Sequence, residues 1–170
     1  MVASPVLTIE IVGSPPVDPV QMASAADHAR STAVSEQVTI EAARSAVGQV
    51  WTPAWLPDEF RMISCEVLFG IHVHLTFSDG EHAFLVRHSP AARFRVPPGA
   101  AQATVFGDKE GYLVRGVWTS VNGEALKWMS DAQVQAAMEL GGKAVTVSTA
   151  SLPPLATDVI VKIASSLAPA

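Results

Sequence analysis

The apolar positions change period along the chain, and those changes mark out its elements. Leu7, Ile9 and Ile11 alternate with Thr8, Glu10 and Val12, the spacing of a short half-buried strand. Gly13-Ser14-Pro15-Pro16 breaks it. Asp18 before Pro19 predicts a helix start, running towards Arg30 on an alanine-rich face. Residues 13–36 read as the most linker-like part. Thr39 predicts the cap of another helix, with Glu41 in its first turn and Ile40, Ala43, Val47 and Val50 as its buried stripe. Pro53 and Pro57 are expected to end it. Trp51, Trp55, Leu56 and Phe60 then make an apolar exit suited to packing across the end of a sheet.

From Arg61 to Trp128 the pattern turns to strands. Gly70 separates the run Met62–Phe69 from the next strand, and Asp79-Gly80 is a residue pair that tight hairpins favour. With those two residues as the loop, Ser78 faces Glu81. One face then carries Ile71, Val73, Leu75, Phe77, Phe84 and Val86, and the other His72, His74, Thr76, Ser78, Glu81 and Arg87. A different loop length exchanges one strand's faces. Ser89–Gly99 reads as a loop. A second hairpin is expected to join the run ending at Phe106 to Tyr112–Trp118 through Gly107-Asp108-Lys109-Glu110-Gly111, and Asn122-Gly123 marks another turn. Ser130 and Gln133 have capping-box spacing and predict a short helix over Asp131–Leu140, closed by Gly141. Lys143–Ser148 reads as a last strand. Thr157 is expected to cap a terminal helix with the stripe Val159, Ile160, Ile163, Ala164 and Leu167.

These elements predict one soluble α+β domain over residues 38–170, preceded by a strand/helix or linker extension over residues 1–37. Composition narrows its role. A net charge of −5 with only 11 Lys plus Arg excludes a nucleic-acid surface, which needs a clustered basic face. No apolar run is long enough to span a bilayer. The amino terminus lacks signal-peptide character, which leaves two choices: a cytoplasmic chain, or one that starts after a removed signal or anchor.

Candidate chemistry is sparse. His72 and His74, two apart on a strand, share a face and could ligate zinc with a third ligand from a neighbouring strand. No paired-cysteine or His-Glu-x-x-His spacing accompanies them, so polar surface histidines and no metal are expected. The lone Cys65 has no context marking a nucleophile and reads as a buried thiol. Gly107–Gly111 lacks the Gly-Lys-Ser/Thr ending of a phosphate loop. Asp58-Glu59 and Asp108/Glu110 lie in expected turns and form a general acid–base pair only if a cleft unites them. No catalytic residue and no cofactor are assigned. Two binding groups remain. Arg87, Arg93 and Arg95, with His88, form a basic loop that either is solvated charge or docks an acidic partner. Trp51, Trp55, Trp118 and Trp128 either are core or line an apolar ligand cavity.

Several segments, in order, resemble a family of uncharacterised extracytoplasmic domains found in bacterial anti-sigma factors and related lipoproteins. They are Thr39-Ile40-Glu41-Ala42-Ala43 leading to Pro53-Ala54-Trp55-Leu56-Pro57-Asp58-Glu59-Phe60, Leu75–Glu81, Gly111-Tyr112-Leu113-Val114, Leu126-Lys127-Trp128 and Ile163–Leu167. The resemblance spans residues 38–167. It implies a curved antiparallel sheet flanked by helices, akin to lipoprotein carriers and sigma-factor regulatory proteins, and no catalytic residues. It also implies an extracytoplasmic location, periplasmic or cell-surface. The predicted helix over Asp131–Leu140 and the first 37 residues depart from the family pattern. The leading expectation is therefore a non-catalytic regulatory or sensor domain that docks a protein or envelope component. The alternative is a carrier holding a lipid acyl chain in the sheet's concavity.

Overall fold

The alternation of Val73, Leu75 and Phe77 with His72, His74 and Thr76 places β5 (His72–Ser78) inside an eight-stranded antiparallel sheet. The computed structural model describes residues 5–15, 35–120 and 122–170; the helix expected after Asp18 lies outside them. In chain order the described elements are β1 (Leu7–Ile11), β2 (Ser35–Gln37), α1 (Ile40–Val47), β3 (Trp51–Pro53), β4 (Arg61–Leu68), β5, β6 (Ala83–Ser89) and β7 (Ala92–Val96). They continue with β8 (Ala101–Phe106), β9 (Lys109–Thr119), β10 (Lys127–Leu140), β11 (Lys143–Thr149), α2 (Thr157–Ser165) and β12 (Leu167–Pro169). The large sheet runs β2-β4-β5-β6-β11-β10-β9-β8. Two small ribbons accompany it, parallel β1–β7 and antiparallel β3–β12. Both β1 and β2, from the first 37 residues, are thus paired to strands of the main domain.

Helices α1 and α2 close one face of the sheet. Ala43 of α1 and Ile160, Ile163 and Ala164 of α2 share a core with Leu75, Phe77, Phe84, Val86, Met138, Val145 and Val147. Phe77 and Phe84, directly opposite each other, stack with ring centroids 4.9 Å apart. Trp51, Trp55, Leu56 and Phe60 pack against this core, as their spacing predicts. Cys65 is buried there, and burial pushes its thiol pKa up, with Glu41 and Glu66 adding to the effect. The other face is covered in part by the β1–β7 ribbon: Val96 of β7 and Val114 of β9 are both buried and line one cleft.

Several boundaries differ from the sequence expectations, each for a physical reason. Thr39 does cap α1, accepting from the Ala42 N–H at 3.2 Å, but Gly48 ends the helix, ahead of the prolines. Its φ of +82° suits glycine, and its N–H donates to the Arg44 carbonyl. The β5–β6 loop has four residues, not two, because Asp79 Oδ1 accepts from the backbone of both Glu81 and His82 and Ser78 pairs with Ala83. Two extra residues preserve the period of two, so the expected faces hold for the paired residues. Ile71, expected on the core face, is instead exposed in the turn before β5, and Glu81 lies in the loop. The β8–β9 turn is shorter than expected, only Gly107-Asp108, since Phe106 pairs with Lys109.

The largest correction is β10. The expected helix over Asp131–Leu140 is a strand, hydrogen-bonded to β9 on one side and β11 on the other. Ala- and Gln-rich residues favour a helix locally, but two flanking strands satisfy the backbone and override that weak preference. Val134, Ala136, Met138 and Leu140 alternate, and the last three are buried in the core. Gly141-Gly142 is a hairpin turn with positive φ at both residues instead of a helix stop. Likewise, α2 is preceded by Ala156 with no side-chain cap; Thr157 is its first helical residue.

Candidate functional site

A lysine at the start of each of two strands fastens a helix end to the sheet. Lys109 Nζ donates to the Ser165 carbonyl at 3.1 Å, and Lys143 Nζ donates to the carbonyls of Val47 and Gln49. Cations there meet the negative end of each helix dipole. The sheet is therefore a fixed platform for what lies on its other face.

On that other face a cleft of about 260 Å³ runs between β7 and the adjoining ends of β9 and β10. Phe94 and Val96 line it with Arg93 and Arg95, and Val114, Val117, Trp118, Trp128 and Gln135 complete its wall and floor. Trp118 and Trp128 are directly paired across β9 and β10, and their rings meet edge to face at 5.3 Å. Each indole N–H is engaged, Trp118 with the Arg95 carbonyl at 2.8 Å and Trp128 with the Arg115 carbonyl at 3.1 Å. Gly116 makes this possible. Its φ is +106°, and a Cβ there would stand 2.4 Å from Trp128 Nε1.

Arg93 and Arg95 share one counter-ion. Glu10 Oε2 lies 3.2 Å from Arg95 Nε and 4.0 Å from an Arg93 terminal nitrogen, and Arg93 is 63% exposed. Among the described residues the local sum is one unbalanced positive charge at the rim of an apolar cleft. Partly exposed pairs like these are worth only about 0–1 kcal/mol each, so they position the arginines more than they stabilise the fold.

The structure thus unites two pairs of residues that the sequence analysis kept apart. Trp118 and Trp128 come together with Arg93 and Arg95. The other predicted members lie elsewhere. Trp51 sits beside the Gly141–Gly142 turn, at the opposite end of β10 from Trp128, and Trp55 lies under Lys162, whose Nζ is 3.9 Å from the ring centroid. The four tryptophans therefore line no common cavity. Arg87 belongs to β6, between His74 and Thr146, and burial lowers its pKa. The expected basic loop is in fact the end of β6 and the strand β7. Signals for Glu10 and Gly116 were weak in sequence, because the contact of β1 with β7 and the glycine's role both depend on distant chain segments.

The histidines also separate. His72 and His74 do share a face, but His88 points the other way, into the core. The Trp51 N–H donates to His88 Nε2 at 2.9 Å. Burial lowers the His88 pKa to about 4, with Lys143 adding to the shift, and burial with Arg87 and His72 does the same to His74. Among the described residues no three His, Cys, Asp or Glu side chains gather in a metal-holding group. No described helix is long and apolar enough to cross a membrane. Neither a known protein-family model nor a curated protein matches this chain.

Proposed function

We propose that this chain is a non-catalytic binding domain that docks a protein partner in the Trp118–Trp128 cleft, in an extracytoplasmic regulatory role of the sigma/anti-sigma type. The observation that carries the docking reading is a preformed aromatic floor beside an arginine rim that, among the described residues, has surplus positive charge. Aromatic and arginine side chains contribute disproportionately to protein interfaces. Holding both indoles by hydrogen bonds in advance lowers the ordering cost of binding. The regulatory and extracytoplasmic parts rest on the sequence resemblance alone.

The carrier alternative has different requirements. It needs room for an acyl chain against the helix-covered face. That face is packed with Phe77, Phe84, Met138, Ile160 and Ile163, which favours docking on the opposite face.

Intrinsic fluorescence tests the proposal. The full chain is titrated with peptides selected on it from a random linear library. A saturable change is expected, and Trp128→Ala should remove it. Selected peptides that bind equally well after both Trp118→Ala and Trp128→Ala would overturn the reading, as would turnover of a small substrate that depends on a cleft residue.

A further inference from the structure

We infer that the partner enters the cleft as an extended strand, adding to the edge of β7 that faces away from β1, with alternating apolar and acidic side chains. This rests on the docking reading and specifies its chemistry. Ala92 donates its N–H to Val6, and Val12 donates to the carbonyl of Val96. Parallel pairing engages alternate residues, so Ala92, Phe94 and Val96 turn their main-chain groups to β1. Arg93 and Arg95 turn theirs away from it. The Trp118 indole confirms that direction by donating to the Arg95 carbonyl from the cleft side. Among the described residues, the N–H groups of Arg93 and Arg95 and the Arg93 carbonyl have no hydrogen-bond partner. A two-stranded ribbon is the weakest kind of sheet, and a third strand would complete it.

The side chains dictate what that strand carries. Val96 faces the sheet and is buried, whereas Arg93 and Arg95 project to the outer side with Glu10. A strand beside β7 repeats the same alternation. Its inward side chains rest on Trp118 and Trp128, which calls for apolar groups. Its outward ones flank two guanidinium groups that share a single carboxylate, which calls for Asp or Glu. Other edges exist, such as that of β8, but the pocket beside its exposed Val105 holds a single aromatic, Tyr112, and is rimmed by Glu110 and Glu139 with no cation.

The experiment uses the full chain and peptides selected on it from a random linear library, followed by calorimetry of synthetic versions. Enriched peptides should alternate apolar and acidic residues. N-methylation of the alternate amides facing Arg93 and Arg95 should weaken binding about tenfold or more, and methylation of the intervening set much less. Arg93→Ala, at an exposed site, should cost about two- to fivefold, a difference that disappears near 1 M salt. Peptides that need Trp118 and Trp128 yet tolerate methylation at every amide, or that bind as helices, overturn strand addition while leaving the cleft as a docking site. Peptides indifferent to both tryptophans overturn both readings.

Discussion

The indole N–H of Trp118 donates to the Arg95 carbonyl at 2.8 Å, which fastens the aromatic floor of the cleft to its charged rim. The two residues lie on different layers, β9 in the main sheet and β7 in the ribbon across it. This bond therefore helps set the width of the cleft. Removing the donor frees the ribbon as well as deleting an aromatic surface. Trp118→Phe, which keeps most of the ring area, should lower stability by about 1 kcal/mol, measured by urea denaturation. An unchanged midpoint would mean the bond does not hold the ribbon down.

Gly116 is the least replaceable residue of the cleft. A side chain there meets both a left-handed backbone and the Trp128 indole. Gly116→Ala should destabilise the chain by about 1–3 kcal/mol and shift the Trp128 fluorescence as the ring is expelled. Wild-type stability with an unaltered spectrum would contradict the packing described.

Acid should loosen the attachment of β3 to the sheet. His88 Nε2 accepts from the Trp51 N–H, a role it loses on protonation, when only the Trp51 carbonyl at 3.1 Å remains as its partner on β3. Its folded pKa is about 4, below the usual imidazole value of 6.5. The unfolded chain therefore takes up protons first as pH falls. Stability is fully present above about pH 6.5 and declines towards pH 4, by up to about 3 kcal/mol for this residue. His74, shifted the same way, adds to the slope. Urea denaturation between pH 7.5 and 4.5 should show the decline. His88→Phe should lower stability at neutral pH by about 1–3 kcal/mol, because Trp51 loses its acceptor, while flattening the slope. An equally steep slope in that variant would remove His88 as its cause.

The lysine caps make a separate prediction. Lys109 is largely buried and bonds both Asp108 and the last carbonyl of α2, at Ser165. Lys109→Met should cost about 1–3 kcal/mol, because it removes a charged donor from a helix end. A thermal midpoint within about 1 °C of wild type would show that solvent satisfies that carbonyl equally well.

Much of the sheet was legible because it is written in local alternation. Val73, Leu75 and Phe77 against His72, His74 and Thr76 identified a covered face, and a loop two residues longer than expected did not disturb it. Thr39 and Glu41 likewise specified the start of α1. Residues 130–140 misled because Ala, Gln, Met and Glu speak for a helix locally, whereas their strand state is imposed by partners on both sides. The binding residues were half legible. Their types drew notice, but whether a tryptophan meets an arginine depends on the ribbon β1–β7, which joins residues about 85 positions apart. Glu10 and Gly116 carry no local mark of their roles, since each acts on a neighbour that only the fold supplies.

The four indole N–H resonances of the 15N-labelled full chain provide the most direct measurement of docking in the cleft. A selected peptide is added in steps, and each indole signal is assigned by single Trp→Phe variants. For docking in the cleft, the Trp118 and Trp128 signals move together and saturate while those of Trp51 and Trp55 stay in place. Movement confined to Trp51 or Trp55, with Trp118 and Trp128 unchanged at saturation, would contradict it.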